Sequence, residues 1–269
     1  MEKKQMTLEQ IKKTEHEILR HFKEVCEKEE ISFFLSNGTL LGAVKYGGFI
    51  PWDDDIDVFV PRADYDRLMR IYQDSSRYCL FSHERNSGYK FPFAKLCDMT
   101  TRKVETNIDN GVELGLDIDI FPLDAWDNAP EKQVQLIGSL IRKLTFVKSA
   151  RADSANRFKR FAKTIVLGLT RQCYRGYIQK IWTIARKNAN DPNPVNLGCV
   201  SWCIYGEREI IPADVFASTV EVDFEGDRYP APVGYDRYLR SLYSDYTKDL
   251  PLDQQKTHHR YQAYTTVSD

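Results

Sequence analysis

The feature that most constrains this chain is a cluster of aspartates that leads directly into an apolar stretch. The run Asp53–Asp57 contains four aspartates and precedes Val58–Val60. The alternation of polar and apolar residues from Asp55 onward is typical of a half-buried strand. If the strand begins early enough, Asp53, Asp55 and Asp57 share one face, about 6–7 Å apart for consecutive members. Such carboxylates repel each other unless a cation binds them, and their oxygen atoms suit Mg²⁺ or Mn²⁺. The alternative is a solvated acidic turn.

A candidate phosphate site lies just upstream of the aspartates. The apolar segment Ile31–Leu35 predicts a buried strand, and residues 39–44 predict a short helix after a tight turn. The N-terminus of a helix presents backbone N–H groups and the positive end of the helix dipole, which together bind phosphate. We therefore expect Gly38 and Thr39 to hold a phosphate close to a metal ion at Asp55 and Asp57.

A later segment supplies further carboxylates. Leu114–Ile120 alternates apolar residues with Asp117 and Asp119, which predicts a second strand with both aspartates on one face. Either aspartate could complete the metal site and orient or deprotonate an attacking hydroxyl. Asp124, which follows this segment, fits either a turn cap or a direct contact with substrate.

Two basic side chains are candidates for contacts with phosphate. Lys95 lies in the mostly apolar segment Lys90–Cys97, a predicted strand, where an unpaired ammonium group would be costly. We expect a phosphate or acidic partner, the alternative being a lysine that extends from an edge strand into solvent. His258, near the end of the chain, is either a phosphate ligand or an exposed tail residue.

The size and composition of the chain limit its class. With 269 residues, 42% of them hydrophobic, the chain can bury a sizeable core. We expect a single domain over residues 1–269 with a helical basic subdomain at about 130–190.

The net charge of -1 gives no general case for a nucleic-acid partner. The sequence has no apolar run typical of a secretion signal or membrane span, so we expect a cytoplasmic protein. Its six cysteines are too sparse for a disulfide framework and are expected to be reduced.

Helical patterns alternate with the predicted strands. Thr7 and Gln10 form a capping-box pattern that begins a helix ending near Glu30. Further helices are expected over 63–72 and 235–242, and two more between 130 and 188.

Taken together, these residues resemble the LicD family, which includes bacterial phosphorylcholine transferases and is similar to the animal fukutin-related proteins. The resemblance rests on the segments Gly38–Val44, Gly48–Asp57, Pro61–Tyr65, Phe93–Lys95, Asp119–Asp124, Phe224–Gly226, Ala231–Pro232 and His258–His259. It implies the polymerase-β-like nucleotidyltransferase fold, an α+β fold in which helices flank a mixed sheet, here with a basic helical insertion. It also implies that Asp55 and Asp57 are paired metal ligands and that Asp119, rather than Asp117, is the third.

The resemblance also implies a reaction. Family members are thought to move a phospho-alcohol such as phosphorylcholine from a CDP-activated donor to a hydroxyl of a cell-surface glycan, releasing CMP. The glycan is of the teichoic acid, capsule or lipopolysaccharide type. One alternative is nucleotidyl transfer from NTP to a small molecule or sugar phosphate, which the same carboxylates could support. Another is a non-catalytic scaffold at a membrane surface.

Positive charge is concentrated in one segment of the chain. Arg142–Lys187 contains thirteen lysines and arginines but one acid, Asp153. A solvated helix face would mix both signs. We therefore expect this basic segment to lie on an anionic membrane leaflet and to bring the active site to a lipid-linked glycan. The alternative is that its charges pair with the acidic remainder of the protein or bind the donor's phosphates.

Sedimentation with liposomes tests the membrane contact. Each lysine or arginine near an anionic surface contributes roughly 1 kcal/mol, so the protein should sediment with anionic liposomes, remain free of neutral ones, and be released by high salt. Equal sedimentation with both kinds of liposome, or with neither, contradicts the expectation.

Overall fold

The computed structural model describes residues 3–105, 110–127, 134–139, 141, 174–187, 189, 191–257 and 261–266. Residues 142–173 of the basic segment and His258 lie outside these ranges, so the expectations for them stay predictions. Residues 134–139, 141 and 174–186 are helical, in agreement with the prediction of helices in this region. No helix among the described residues has both the length and the apolar character needed to cross a bilayer.

Among the described residues, strands and helices alternate up to α3, and strands predominate after it. Its helices are α1 (Leu8–Lys28), α2 (Asn37–Tyr46), α3 (Arg62–Ile71) and α4 (Tyr235–Tyr243), besides the two stretches given above. Its strands are β1 (Lys3–Gln5), β2 (Phe34–Leu35), β3 (Asp57–Pro61), β4 (Tyr78–Phe81), β5 (Ala94–Glu105), β6 (Leu114–Ala125), β7 (Asn196–Gly198), β8 (Ile211–Pro212), β9 (Thr219–Phe224), β10 (Asp227–Pro232) and β11 (Tyr261–Thr266). Short 3-10 turns cover Gly206–Glu209, Ala213–Phe216 and Leu252–Gln254.

A mixed sheet organises the domain. Its strands run in the order β1-β11-β5-β6-β3-β2, with β4 paired to the first part of β5 and β7 to the end of β6. The pair β3–β6 is parallel, whereas β5 is antiparallel to both β6 and β11. Strands β9 and β10 form a separate hairpin. The expected mixed sheet with flanking helices is confirmed.

Local signals predicted the helices well. At α1, the Gln10 N–H donates to Thr7 Oγ1 at 3.3 Å and the Thr7 N–H donates to Gln10 Oε1 at 2.9 Å, which completes the predicted capping box. The apolar stripe of α1, including Ile18, Leu19 and Phe22, is buried in the core. Helix α4 begins at the predicted residue and ends one residue later than predicted.

Several strand boundaries were predicted wrongly. The strand expected from Asp55 begins at Asp57, because Asp57 is the first residue that pairs with β6. The strand expected over Lys90–Cys97 begins at Ala94 and continues to Glu105, where β11 pairs with it. The strand expected over Ile31–Leu35 is limited to Phe34 and Leu35, the two residues that pair with β3. Asp53 and Asp55 therefore lie in a loop before the strand.

A buried ion pair joins α3 to the end of β6. Arg62 Nε donates to Asp124 Oδ1 at 2.6 Å, and the Val200 N–H donates to Asp124 Oδ2 at 3.2 Å. The side chains of Arg62 and Asp124 are 3% and 0% exposed. Arg62 also contacts Asp66, which binds Arg186 of the helix over 174–186. The network ties the sheet to α3 and to the helix over 174–186, which belongs to the basic segment.

Removal of one partner of this pair tests its contribution to stability. Asp124→Ala leaves a buried guanidinium short of its main acceptor, so the free energy of unfolding should fall by about 3–5 kcal/mol in urea denaturation. The control is Asp214→Ala, which breaks the exposed ion pair with Arg237 and should cost no more than about 1 kcal/mol. Equal losses in the two variants would contradict the assigned role of the Arg62–Asp124 pair.

Candidate active site

A row of charged residues crosses three neighbouring strands. Asp57 of β3 lies opposite Asp119 of β6, and Asp119 lies opposite Lys95 of β5. Directly opposed residues in a sheet present their side chains on the same face. Two aspartates predicted from separate segments are thus brought together by the parallel pairing of β3 and β6.

Lys95 binds both aspartates of β6. Its ammonium group donates to Asp117 Oδ2 at 2.5 Å and also to Asp119 Oδ1. This confirms the expectation of an acidic partner for Lys95. A second buried lysine, Lys103, donates to Asp117 Oδ1 at 2.9 Å. The four side chains form a buried charge cluster, which we call the lysine–aspartate clamp: Lys95, Lys103, Asp117 and Asp119.

The two aspartates of the clamp differ electrostatically. Burial raises the pKa of Asp117, but the charges and hydrogen bonds of Lys103 and Lys95 outweigh burial and hold the pKa well below its usual range. Burial raises the pKa of Asp119 to about 6, although Lys95 opposes the shift. Burial, followed by the charges of Asp55 and Asp119, raises the pKa of Asp57 well above its usual value. The lysines therefore neutralise Asp117, whereas too little positive charge surrounds Asp57 and Asp119 to offset the cost of burying their carboxylates.

The acidic loop before β3 is held by distant parts of the chain. Lys12 of α1 donates to the carbonyl oxygens of Ile50 and Pro51, both at 3.0 Å. Thr257 Oγ1 donates to Asp54 Oδ1 at 2.6 Å, and Tyr261 donates from its hydroxyl to the Asp54 carbonyl at 3.0 Å. These contacts fix the backbone that carries Asp53 and Asp55 next to the start of β3.

The hairpin β9–β10 supports the same loop from another side. Its turn contains Glu225 and Gly226, both with positive φ. Glu225 Oε1 accepts a hydrogen bond from the Phe49 N–H at 3.0 Å, and the Glu225 N–H donates to the Gly47 carbonyl. A Cβ atom on Gly48 would lie 2.2 Å from Glu225 Oε1, so any other residue there would have to displace the Glu225 carboxylate from its bond to Phe49.

Helix α2 begins against the aspartates, as predicted. Thr39 is buried, and its Oγ1 accepts a hydrogen bond from the Asp57 N–H at 2.8 Å. A Cβ atom on Gly38 would lie 2.9 Å from Asp53 Oδ2, so the backbone at Gly38 closely approaches that carboxylate. The side chain of Thr39 thus fixes the start of β3. Because this side chain is engaged there, the phosphate contact predicted for Thr39 would be made by its backbone N–H.

Asn37 is a site residue that the sequence did not identify. It has a positive φ of 45°, and its Oδ1 accepts from the Tyr238 hydroxyl of α4 at 2.9 Å. A side-chain hydrogen bond from Asn37 opposes the rise in the pKa of Asp57. The only sequence signal for Asn37 was its place in the turn before α2.

A pocket of about 760 Å³ opens over the charged row. Its lining includes Gly38, all three predicted metal ligands and Asp53. Aromatic side chains form much of its wall, and sequence reasoning missed them: Tyr46, Trp52, Phe91, Phe93, Trp202, Tyr205, Tyr243 and Tyr246. The pocket therefore combines an acidic centre with an aromatic wall.

The donor set fits a hard divalent cation in its chemistry. Asp55, Asp57 and Asp119 present carboxylate oxygens to one pocket, and the mutual repulsion that raises the pKa of Asp57 would fall on binding a cation. Within the described ranges, no group of three His, Cys, Asp or Glu side chains is already arranged to enclose an ion. Because Lys95 now binds Asp119, an ion must share or displace that contact.

Asp124 does not lie at the pocket. It belongs to β6 rather than to a turn, is fully buried, and binds Arg62. The expectation of a turn cap is therefore wrong, and the direct substrate contact predicted for Asp124 has no support in its contacts.

Comparison with known proteins identifies a domain that contains the charged row. Residues 30–161 match the sequence model described as the LicD/FKTN/FKRP nucleotidyltransferase domain. The chain is 28% identical over 258 residues to the lipopolysaccharide cholinephosphotransferase LicD of Haemophilus influenzae, covering 92% of this chain and 94% of that protein. Shorter stretches match uncharacterized proteins of Rickettsia prowazekii (39% over 69 residues, 26% of this chain and 23% of that protein) and Rickettsia typhi (41% over 70 residues, 26% and 20%).

The domain match covers the strands and helices that carry the acidic centre. It defines the chain as one with a nucleotidyltransferase-type domain. The chain is thus similar to this domain over residues 30–161 and to LicD of Haemophilus influenzae over nearly its full length.

Neighbouring aspartates on one face of β6 provide a matched test of the site. Asp119→Asn should lower turnover by about a hundredfold or more with little loss of stability, because Asp119 is proposed to bind metal. Asp117→Asn should instead lower the free energy of unfolding by about 1–3 kcal/mol or more, because two buried ammonium groups lose a charged acceptor. Steady-state kinetics and urea denaturation of both variants separate the roles. Normal turnover in Asp119→Asn with inactive, stable Asp117→Asn would reverse the assignment.

Proposed function

We propose that this chain is a Mg²⁺- or Mn²⁺-dependent phosphotransferase with a polymerase-β-like fold. It transfers phosphorylcholine, or a closely related phospho-alcohol, from a CDP-activated donor to a hydroxyl of a cell-surface glycan and releases CMP. The observation that carries the proposal is the row Asp57–Asp119–Lys95 in a pocket, in a chain similar over nearly its full length to a lipopolysaccharide cholinephosphotransferase.

The side chains have distinct tasks in this proposal. Asp55, Asp57 and Asp119 would hold the metal ion, which when bound neutralises charge on the donor's phosphate oxygens. The N-terminus of α2 at Gly38 binds a phosphate group through backbone N–H groups and the helix dipole. Lys95 provides a second positive charge beside the acidic centre.

The transfer step balances without a further reactant. The acceptor hydroxyl oxygen forms a bond to the phosphorus that carries the alcohol, and the bond from this phosphorus to the bridging oxygen breaks. CMP leaves with that oxygen. The hydroxyl proton passes to a carboxylate oxygen of Asp119.

The runner-up function is nucleotidyl transfer from NTP. The same carboxylates could support it, and residues 30–161 match a domain described as a nucleotidyltransferase domain. The two reactions differ in their leaving group, which is CMP from a CDP-alcohol and pyrophosphate from an NTP.

Product analysis tests the proposed reaction. The protein is incubated with Mg²⁺, a lipopolysaccharide or teichoic acid acceptor, and a panel of CDP-alcohols or CTP. We expect CMP from CDP-choline or a close analogue and no pyrophosphate from CTP. Pyrophosphate release without CMP would favour nucleotidyl transfer, and no release of either would contradict both.

An aspartate variant connects that reaction to the acidic centre. Asp57→Asn should lower turnover by roughly a hundredfold or more and abolish the rise in melting temperature that Mg²⁺ gives the wild type. Its stability without metal should not fall, because the change removes one of several repelling carboxylates. Asp223→Asn, which changes an exposed carboxylate of β9 outside the pocket lining, is the control and should retain both properties. Wild-type turnover in Asp57→Asn would remove this residue from the mechanism.

A further inference from the structure

Two tyrosines form a right-angled corner in the pocket wall. Tyr205 precedes the turn Gly206–Glu209, and Tyr243 ends α4. Their ring centroids are 5.9 Å apart and the ring planes meet at 77°. Tyr205 is 43% exposed, a large value for an aromatic ring that lines a pocket. The Tyr205–Tyr243 corner thus presents aromatic surface to whatever the pocket binds.

The inner aromatic residues of the pocket are already in contact with a cation. Lys95 Nζ lies 5.5 Å and 5.6 Å from the ring centroids of Phe91 and Phe93, which are almost fully buried. In the part of the chain that the structure describes, no lysine or arginine lies over the ring of Tyr205 or Tyr243. The corner is therefore a part of the aromatic wall whose rings are open to a cation from a ligand.

The charges around the corner favour a cationic ligand. Burial raises the pKa of Tyr205, and the negative charges of Asp57 and Asp55 add to that rise, which places the corner in the field of the acidic centre. Two lysines that line the pocket are paired with acids, whereas Arg208, which also lines it, adds positive charge to that wall. Lys45 is paired with Asp249 at 2.8 Å and Lys248 with Asp245 at 2.9 Å.

These features match one chemical group. A quaternary ammonium ion donates no hydrogen bond, so a protein recognises it through aromatic ring faces and negative potential. In phosphorylcholine, an ester oxygen and an ethylene group alone separate this ion from the transferred phosphorus. A phosphate at the acidic centre would therefore keep the ammonium group within the neighbourhood of the centre.

We propose that the Tyr205–Tyr243 corner binds the quaternary ammonium group of the transferred phospho-alcohol and selects choline over uncharged alcohols of the same shape. This inference rests on the proposed function for its phosphate position, but it concerns recognition rather than chemistry. It assigns Tyr205 and Tyr243 to specificity, while the aspartates keep their roles at the metal and the phosphate.

Binding measurements test the corner independently of turnover. Phosphorylcholine and the phosphate ester of 3,3-dimethylbutanol have nearly the same shape, but the second lacks the positive charge. Isothermal titration calorimetry with Mg²⁺ present should show that the wild type binds phosphorylcholine about tenfold more tightly. Tyr205→Leu and Tyr243→Leu should bind the two esters equally, whereas Tyr205→Phe should keep the preference because it keeps the ring.

A remote tyrosine provides the control. Tyr264→Leu removes a ring from β11 that lies outside the pocket lining, so the preference should remain. Equal binding of both esters by the wild type, or a preference that survives both leucine variants, overturns the proposal. If the preference is present but CDP-choline gives no CMP, the corner stands and the proposed reaction fails. If CMP is released without any preference, the reaction stands and the corner fails.

Discussion

Repulsion between carboxylates at the meeting point of β3 and β6 is the constraint on which the rest of the site depends. The parallel pairing puts Asp57 opposite Asp119, and the loop before β3 adds Asp53 and Asp55 to the same pocket. Several negative charges held together in a partly buried place cost free energy unless positive charge compensates them. Lys95 and Lys103 supply part of that positive charge. The rest can come from a bound cation.

The surrounding structure can be understood as the support for that charge arrangement. Lys12 and the pair Thr257 and Tyr261 hold the acidic loop from two distant parts of the chain, and Thr39 fixes the first residue of β3. Because each contact joins segments far apart in sequence, the site exists only once the whole domain has folded. Such support keeps the carboxylates in place against their own repulsion, which suits catalysis by positioning and charge.

The sequence predicted the parts of the fold that local signals determine. The helix begun by Thr7, the turn before α2 and the alternation at Asp117 and Asp119 all depend on nearby residues, and the structure agrees with each. Strand ends were predicted poorly because partners distant in sequence decide them, as β11 does for the end of β5. The partner of Lys95 could be inferred as acidic because a buried ammonium group requires one, but no sequence pattern identified Lys103 or the Tyr205–Tyr243 corner, since tertiary packing alone brings them to the pocket.

The central claim is that a divalent cation completes the charge balance at Asp55, Asp57 and Asp119. Crystals grown with Mn²⁺ and measured at the manganese absorption edge test it directly, because the anomalous signal locates the ion without reference to activity. The account predicts a peak in contact with these three carboxylates and a Lys95 ammonium group that shares or releases Asp119. A pocket without a peak at saturating Mn²⁺, with Lys95 still bridging Asp117 and Asp119, would contradict the account.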